Sequence, residues 1–349
     1  MSDMFRVGYT KDFLGPDGTV GWGDIGLSGY DGVPGLELGY LVENEKVITP
    51  GNGGDFDALG VLGGQITAKL LDNAPRLAIV ARFGVGYDNV DVDAATRNDV
   101  VVTITPDGIR RPMASTAMTF ILALSHRLLQ KDRLTREGRW AEKLDYMGDG
   151  LAGKTLGAIG LGNIAREMFG LAAPWGMRHV ASDPYVTAEQ AAATGVELLD
   201  LETLLRRADY VVVLCKLTDE THHLLNRERL AMMKPSAYLI SIARGPIVDE
   251  VALHQALTTG GIRGAGLDVF EQEPVDPANP ILTLDNVIVA PHALCWTDEC
   301  ALGNGTGLRD SILDVRRGIA PRHVVNREVL DSPRFQEKLA AYAARWETQ

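Results

Sequence analysis

The chain has few cysteines, no leader pattern, no long apolar run and no excess of positive charge. Of 349 residues only Cys215, Cys295 and Cys300 are cysteine, and none forms a CxxC pair. So sparse and odd a set excludes a disulfide scaffold and the common zinc spacings, and it suits a reducing compartment. HExxH is also absent, so no metal site is expected. The longest uncharged apolar-rich run, MASTAMTFILAL, is about half of the ~20 residues that a membrane-crossing helix needs. The first residues, MSDMFRVGYTKDF, lack the charged-then-apolar order of a secretory leader. Lys and Arg number 34 against 46 Asp and Glu, a formal charge of −12. That balance argues against nucleic acid as a partner and requires local cationic help for any anionic substrate. Internal repeats and low-complexity segments are missing as well. The expectation is a cytoplasmic protein without membrane or nucleic-acid partners.

What is present is a globular composition, 46% hydrophobic and 23% charged, in a chain long enough for about two domains. FRVGY reads as a first strand, and positions 15–37, rich in glycine without helical period, read as loop. From Leu59 the pattern alternates: GVLGG, the helix-like QITAKLLDNAP, RLAIVARF, VDVDAATRNDV and the β-branched VVVTIT. Pro112 then starts a long expected helix, PMASTAMTFILALSHRLLQKDRL, because a first-turn proline has no N–H to waste. A second alternating series follows from Leu156: LGAIG, HVASD, DYVVVL, AYLISI, GAGLDV and NVIVA. Strands alternating with helices imply parallel βα units and a doubly wound sheet. From Thr297 to Gln349 the tail reads as mostly helical.

In LGAIGLGNIAREMFG, Gly160, Gly162 and Ala165 occupy the small positions of G-x-G-x-x-G/A. The first allows a tight turn and the second lets backbone approach a pyrophosphate. The third needs only to be small, so alanine suffices. The helix from Asn163 would turn its N-terminal amides toward the phosphates. HVASD ends in Asp183, 23 residues after Gly160, where a carboxylate accepts ribose hydroxyls and repels a 2′-phosphate. The expected cofactor is therefore NAD. GDGLAGKT, residues 148–155, fits G-x-x-x-x-G-K-[ST], but it follows a polar stretch and opens a strand rather than a helix. It reads as a loop entering the sheet.

Three charged residues stand at carboxyl ends of expected strands: Arg244 in IARGPIVDE, Glu273 in DVFEQEP and His292 in APHALCW. Ligands of doubly wound sheets bind at such ends. Taken singly, each also suits a surface ion pair, a solvated loop or a structural histidine.

Together the segments ARFGVGYDNVD, TLGAIGLGNIA, ARGPIVDE, GAGLDVFEQEP and NVIVAPH resemble the D-isomer-specific 2-hydroxyacid dehydrogenase family over residues 59–295. The resemblance implies an α/β protein of two Rossmann-like doubly wound parallel-sheet domains, the nucleotide domain inserted into a discontinuous substrate domain. The expected bounds are 1–112 with 300–349 for the substrate domain and 113–299 for the NAD domain. The glycine loop would thus come late because another domain precedes it. The implied catalysis lies in a cleft that closes by hinge motion.

By the same resemblance Arg244 holds the substrate carboxylate and carbonyl, His292 is the acid/base and Glu273 its carboxylate partner. Backbone amides of Val85 and Gly86 bind the substrate carboxylate. Asn163, Ile164 and Asp183 match loop and ribose positions, Cys215, Ile242 and Ala243 line the cofactor, and Asp268 lies near the nicotinamide carboxamide. Hydride transfer at C2 of a small anionic 2-oxo or 2-hydroxy acid puts charge on the carbonyl oxygen, which a forked, permanently cationic arginine can meet. Glu273 should fix the imidazole tautomer and favour its protonated form.

A homodimer joined through the nucleotide domains is implied too. The segment 15–37 departs from the family's first βα unit, Ser115–Thr116 stand where many members carry Glu-His, and Lys216 replaces a common proline. Cys295 and Trp296 either line the pocket or pack the domain junction. Two alternatives share the fold: an NAD(H)-responsive binding protein of corepressor type, and a phosphonate-type dehydrogenase. Glu273 disfavours a formate enzyme.

Overall fold

The computed structural model describes residues 4–346. Residues 1–3 and 347–349, the outer ends of the stretches read for a leader pattern and a helical tail, lie outside the described residues. The chain forms two compact units, Met1–Ile109 with Trp296–Gln349, and Arg110–Cys295.

In the first unit, β1 (Phe5–Tyr9), β2 (Leu36–Tyr40), β3 (Ala58–Val61), β4 (Ile79–Arg82) and β5 (Val101–Thr103) form one parallel sheet in the order β2-β1-β3-β4-β5. The chain leaves β1 toward one edge and β3 toward the other, so the order reverses between β1 and β3. Strands β3 and β4 are buried along their whole length, which explains their apolar runs up to Arg82, the last residue of β4. The helix Asp298–Arg316 returns to this sheet, and its Leu308, Ile312 and Val315 share a cluster with Phe5, Val7 and Tyr9. Each such side chain contributes about 1.5–3 kcal/mol by leaving water. Gly303 and Gly108 make close backbone contact, which holds the helix start against the connection out of the unit.

In the second unit, β6 (Thr155–Ile159), β7 (Arg178–Ser182), β8 (Glu197–Leu198), β9 (Tyr210–Val213), β10 (Tyr238–Ser241), β11 (Gly264–Leu267) and β12 (Val287–Val289) form a second parallel sheet. Its order is β12-β11-β10-β9-β6-β7-β8, with the reversal between β6 and β9. Both faces are covered: Val212 and Ile240 enter one apolar cluster, Val211, Val213 and Leu239 the other.

Three expectations about elements need correction. The segment 15–37 is irregular for most of its length, but it contains a 3-10 turn at Leu27–Tyr30 and ends in the start of β2. The long helix begins at Pro106 rather than Pro112: Pro106 occupies the first turn, where a missing N–H costs nothing, and Pro112 lies inside the helix. That helix also stops at Ser125, Arg127 takes a left-handed conformation (φ 51°), and a second helix runs Leu128–Arg136. The stop is tertiary in origin, because the Asp149 N–H donates to the Ser125 carbonyl at 2.8 Å and Gly148 packs on the same turn.

Candidate active site

The turn after β6 lies at the reversal point of the second sheet. Gly160 has φ 95°, and a Cβ there would fall 2.9 Å from the Cys215 backbone nitrogen in the loop after β9. Only glycine meets both demands. At Gly162 an added Cβ would meet nothing within 4 Å, so this position is open for a ligand's approach. Gly162 precedes the helix Asn163–Ala172 and gives it no side-chain cap, leaving the first-turn amides available to an anion. Asn163 is exposed and Ile164 half-buried on that turn, while Ala165 is fully buried against the sheet, the place where a small residue is required.

Asp183 follows β7, and its carboxylate accepts the Leu161 N–H at 2.8 Å and the Tyr185 N–H at 2.9 Å. A carboxylate tied to the glycine turn is placed for ribose hydroxyls and against a 2′-phosphate. Burial, with a smaller effect of the Asp183 charge, pushes the Cys215 thiol up to about 11. It stays protonated at neutral pH, so it serves as packing rather than as a nucleophile. Ile242 and Ala243 continue from β10, Ile242 buried and Ala243 partly so. This donor set suits NAD. The competing GDGLAGKT stretch ends as strand β6 begins at Thr155, and no helix opens there.

The carboxyl ends of β10, β11 and β12 carry the charged residues. Arg244 is half-buried, and one of its guanidinium nitrogens donates to the Ala243 carbonyl at 2.7 Å. Gly245 is buried so closely on Phe270 that a Cβ would coincide with that residue's backbone. This contact sets the arginine loop against the segment leading to Glu273. There His292 Nδ1 lies 2.7 Å from Glu273 Oε2, and the other carboxylate oxygen accepts the Phe270 N–H at 3.0 Å. Burial alone would raise the Glu273 carboxyl. The hydrogen bonds from His292 and Phe270, with the His292 and Arg244 charges, outweigh it and hold the group below the usual carboxylate range.

His292 has φ 55°, a conformation that a non-glycine residue keeps only when its surroundings enforce it. Asp268, 1% exposed, supplies the enforcement: its Oδ1 accepts the N–H groups of Ala293 and Leu294 at 3.0 and 3.1 Å. Burial raises the Asp268 carboxyl, and those two bonds only partly offset it. Sequence reasoning missed this bracing, and no pattern in GAGLDV signals it. The close contact at Gly245 was missed too, although a glycine directly after a strand-end arginine was a readable hint.

Val85 and Gly86 lie in the first unit, in the loop after β4. Arg82 shapes that loop by donating to the Gly86 carbonyl at 2.9 Å and to Val61 and Leu62. Among the described residues no hydrogen-bond acceptor is found for the Val85 and Gly86 amides. Trp296 is 55% exposed, with its ring 4.1 Å from that of Trp22, and Cys295 is buried. The Ser115 and Thr116 hydroxyls turn back onto the Pro112 carbonyl in their own helix. Among the described residues no group of three or more His, Cys, Asp or Glu could hold a metal ion, and no helix is long and apolar enough to cross a membrane.

A seven-stranded parallel sheet with a glycine turn, an open helix start and a ribose-type carboxylate at its reversal point defines a dinucleotide-binding enzyme fold. Residues 118–293 match the family model described as D-isomer specific 2-hydroxyacid dehydrogenase, NAD binding domain. The chain is 38% identical over 288 residues to a glyoxylate reductase of Korarchaeum cryptofilum, covering 81% of this chain and 87% of that protein. It is 40% identical over 274 residues to a D-3-phosphoglycerate dehydrogenase of Methanocaldococcus jannaschii, covering 78% of this chain but only 52% of that longer protein. A solved 2-hydroxyacid dehydrogenase of Ketogulonicigenium vulgare superposes with TM-score 0.77 at 28% identity, covering 93% of this chain and 99% of that one. The chain belongs to the D-isomer-specific 2-hydroxyacid dehydrogenase family. It is an NAD-dependent oxidoreductase of 2-hydroxy and 2-oxo acids.

Proposed function

We propose that the chain interconverts a small D-2-hydroxy acid and its 2-oxo acid, with His292 and Glu273 as the acid/base pair and Arg244 as the substrate anchor. The observation that carries this reading is the 2.7 Å contact between His292 Nδ1 and Glu273 Oε2 at the strand ends that also bear Arg244. An ionised carboxylate only accepts, so Nδ1 carries a proton and Nε2 is left to face substrate. NAD, when bound, accepts or supplies the hydride.

In reduction the protonated imidazole gives its Nε2 proton to the carbonyl oxygen, and in oxidation Nε2 removes the hydroxyl proton. Such a step is typically worth about 10²–10⁴ in rate. Arg244 forks onto the carboxylate and carbonyl oxygens and supplies the local positive charge that an acidic protein otherwise denies an anion. The Val85 and Gly86 amides complete carboxylate binding in this reading, and Asp268 holds the chain beyond His292 while bordering the nicotinamide carboxamide. Gly160, Gly162, Asn163 and Ile164 receive the pyrophosphate, Asp183 the ribose, and Cys215, Ile242 and Ala243 the remaining cofactor surface.

The exposed Leu128, Leu129, Trp140, Leu144 and Met147 in the second unit support a homodimer joined there, since clustered apolar exposure marks association sites. None of the cysteines forms a disulfide, which supports a cytoplasmic setting. The test is steady-state turnover of NADH with glyoxylate, hydroxypyruvate, pyruvate and bulkier 2-oxo acids. Glyoxylate comes first because relatives bear the name glyoxylate reductase. Turnover that is lost in Arg244→Ala supports the reading. Dinucleotide binding without turnover of any 2-oxo acid refutes it and favours a corepressor-type binding protein.

A further inference from the structure

The reversal point of the first sheet, between β1 and β3, is a second place where an α/β sheet opens to ligands. A groove of about 580 Å³ lies there, formed by residues 12–15 after β1, by 21–23 of the glycine-rich segment, and by 296–298 with Ala301. Asp12 packs on Gly63, two residues beyond the end of β3, which sets the groove beside the other strand end at the reversal point. Trp22 and Trp296 meet at 4.1 Å between ring centroids, tilted by 48°. Trp22 also packs on Phe83 at 5.0 Å, which joins the groove to the loop bearing Val85 and Gly86.

The charge of this groove is one-sided. Asp12 and Asp298 line it, and none of its lining residues is Lys, Arg or His. One oxygen of Asp12 is shut off from solvent with no hydrogen-bond partner among the described residues. Lys11, next in the chain, is drawn to the Val42 carbonyl at 2.7 Å. Residues 12–45 include seven Asp and Glu and no Lys, Arg or His. An anionic group would face two carboxylates there without a counter-charge. A planar cation would meet the surface of an indole pair and two carboxylates, both of which favour it.

We infer that this groove receives the far end of the substrate and selects a 2-oxo or 2-hydroxy acid whose side chain ends in a guanidinium or ammonium group. The inference rests on the hydride-transfer reading above and deepens its substrate class. It gives the glycine-rich segment a role: the run from Leu14 to Gly23 carries Trp22 to the strand ends, and the short bridge between Leu14 and Val20 closes its loop. The acid's carboxylate lies at the Val85 and Gly86 amides and its cationic end against the outer surface of the tryptophan pair, beside Asp12 and Asp298.

The test compares kcat/KM with NADH for three acids of matched length: 5-guanidino-2-oxopentanoate, 2-oxooctanoate and 2-oxosuberate. The expected order is cationic over neutral by about tenfold, with the anionic acid weakest, in keeping with a cation–π contact reinforced by two carboxylates. In Asp298→Asn, an exposed change on the first helical turn, the cationic-to-neutral ratio falls about fivefold, the size of one partly exposed charge pair. In Trp22→Ala the same ratio falls further than in Trp22→Phe. A preference for the neutral or anionic acid, or an unchanged ratio in Asp298→Asn, overturns the inference while leaving hydride transfer intact. Turnover of glyoxylate but of none of the longer acids also overturns it. Failure of glyoxylate as well as all three acids refutes the hydride-transfer reading itself.

Discussion

Replacing Asp268 by alanine should disable the enzyme although the side chain is proposed to move no proton. Its Oδ1 holds the Ala293 and Leu294 N–H groups, which follow His292 directly. Deleting the carboxylate leaves two N–H groups without their acceptor, at about 1–3 kcal/mol each when buried. The local penalty is therefore about 2–6 kcal/mol, comparable to the cost of keeping His292 at positive φ. The segment escapes that penalty by moving its amides to water, and the imidazole moves with it. We expect kcat/KM for 2-oxo-acid reduction to fall about 100-fold or more, since small misplacement of a reacting group costs that much. Asp268→Asn keeps an acceptor oxygen but loses charge assistance, so its loss should be intermediate. The assay is NADH oxidation at 340 nm, with thermal melts to show that each variant is folded. A folded Asp268→Ala enzyme with kcat/KM within about threefold of wild type would refute the reasoning, because the displacement is argued to cost far more.

Glu273 makes stability depend on pH. Its folded carboxyl lies below its unfolded value of about 4.3, so it contributes stability above that pH and loses it as pH falls through the lower folded value. The melting-temperature gap between wild type and Glu273→Gln should therefore narrow between pH 6 and pH 3, and a gap that widens would contradict the sign. Gly245→Ala has no room beside Phe270, so we expect a melting temperature lower by several degrees and lost activity; an unchanged melt would show that the loop yields without cost. Asp183→Ser removes the proposed ribose acceptor and its charge. The ratio of kcat/KM for NADPH over NADH should rise at least about tenfold, and an unmoved ratio would place the ribose elsewhere.

The central strands of both sheets were readable because parallel strands buried on two faces are continuous apolar runs, as in YVVV and YLIS. Elements that depend on neighbours were not. Glu197–Leu198 is two residues long and owes its strand character to Val180 and Ala181 alone. LELGY was hidden by the glycines around it, although it alternates apolar and other residues as a half-covered edge strand does. Nothing at Arg127 announces a helix break, since the cause is a carbonyl capped from residue 149. In the site, the glycine turn and Asp183 follow from spacing, whereas Arg244, Glu273 and His292 are marked only by their shared place at strand ends and take their roles from the family resemblance. The bracing of His292 by Asp268 was invisible because it depends on where the ends of β11 and β12 stand side by side. Trp22 fell in a segment without periodicity, so its contact with Trp296 had no signal at all.

The claim that an imidazole held by Glu273 moves the proton is tested most directly by the pH dependence of kcat/KM for 2-oxo-acid reduction in wild type and His292→Gln. We predict that the wild-type rate falls as pH rises through the loss of one essential proton, and that in His292→Gln this limb is absent and the rate about 10²–10⁴ lower. A His292→Gln enzyme that keeps the limb, or that retains most of the wild-type rate, would contradict the account.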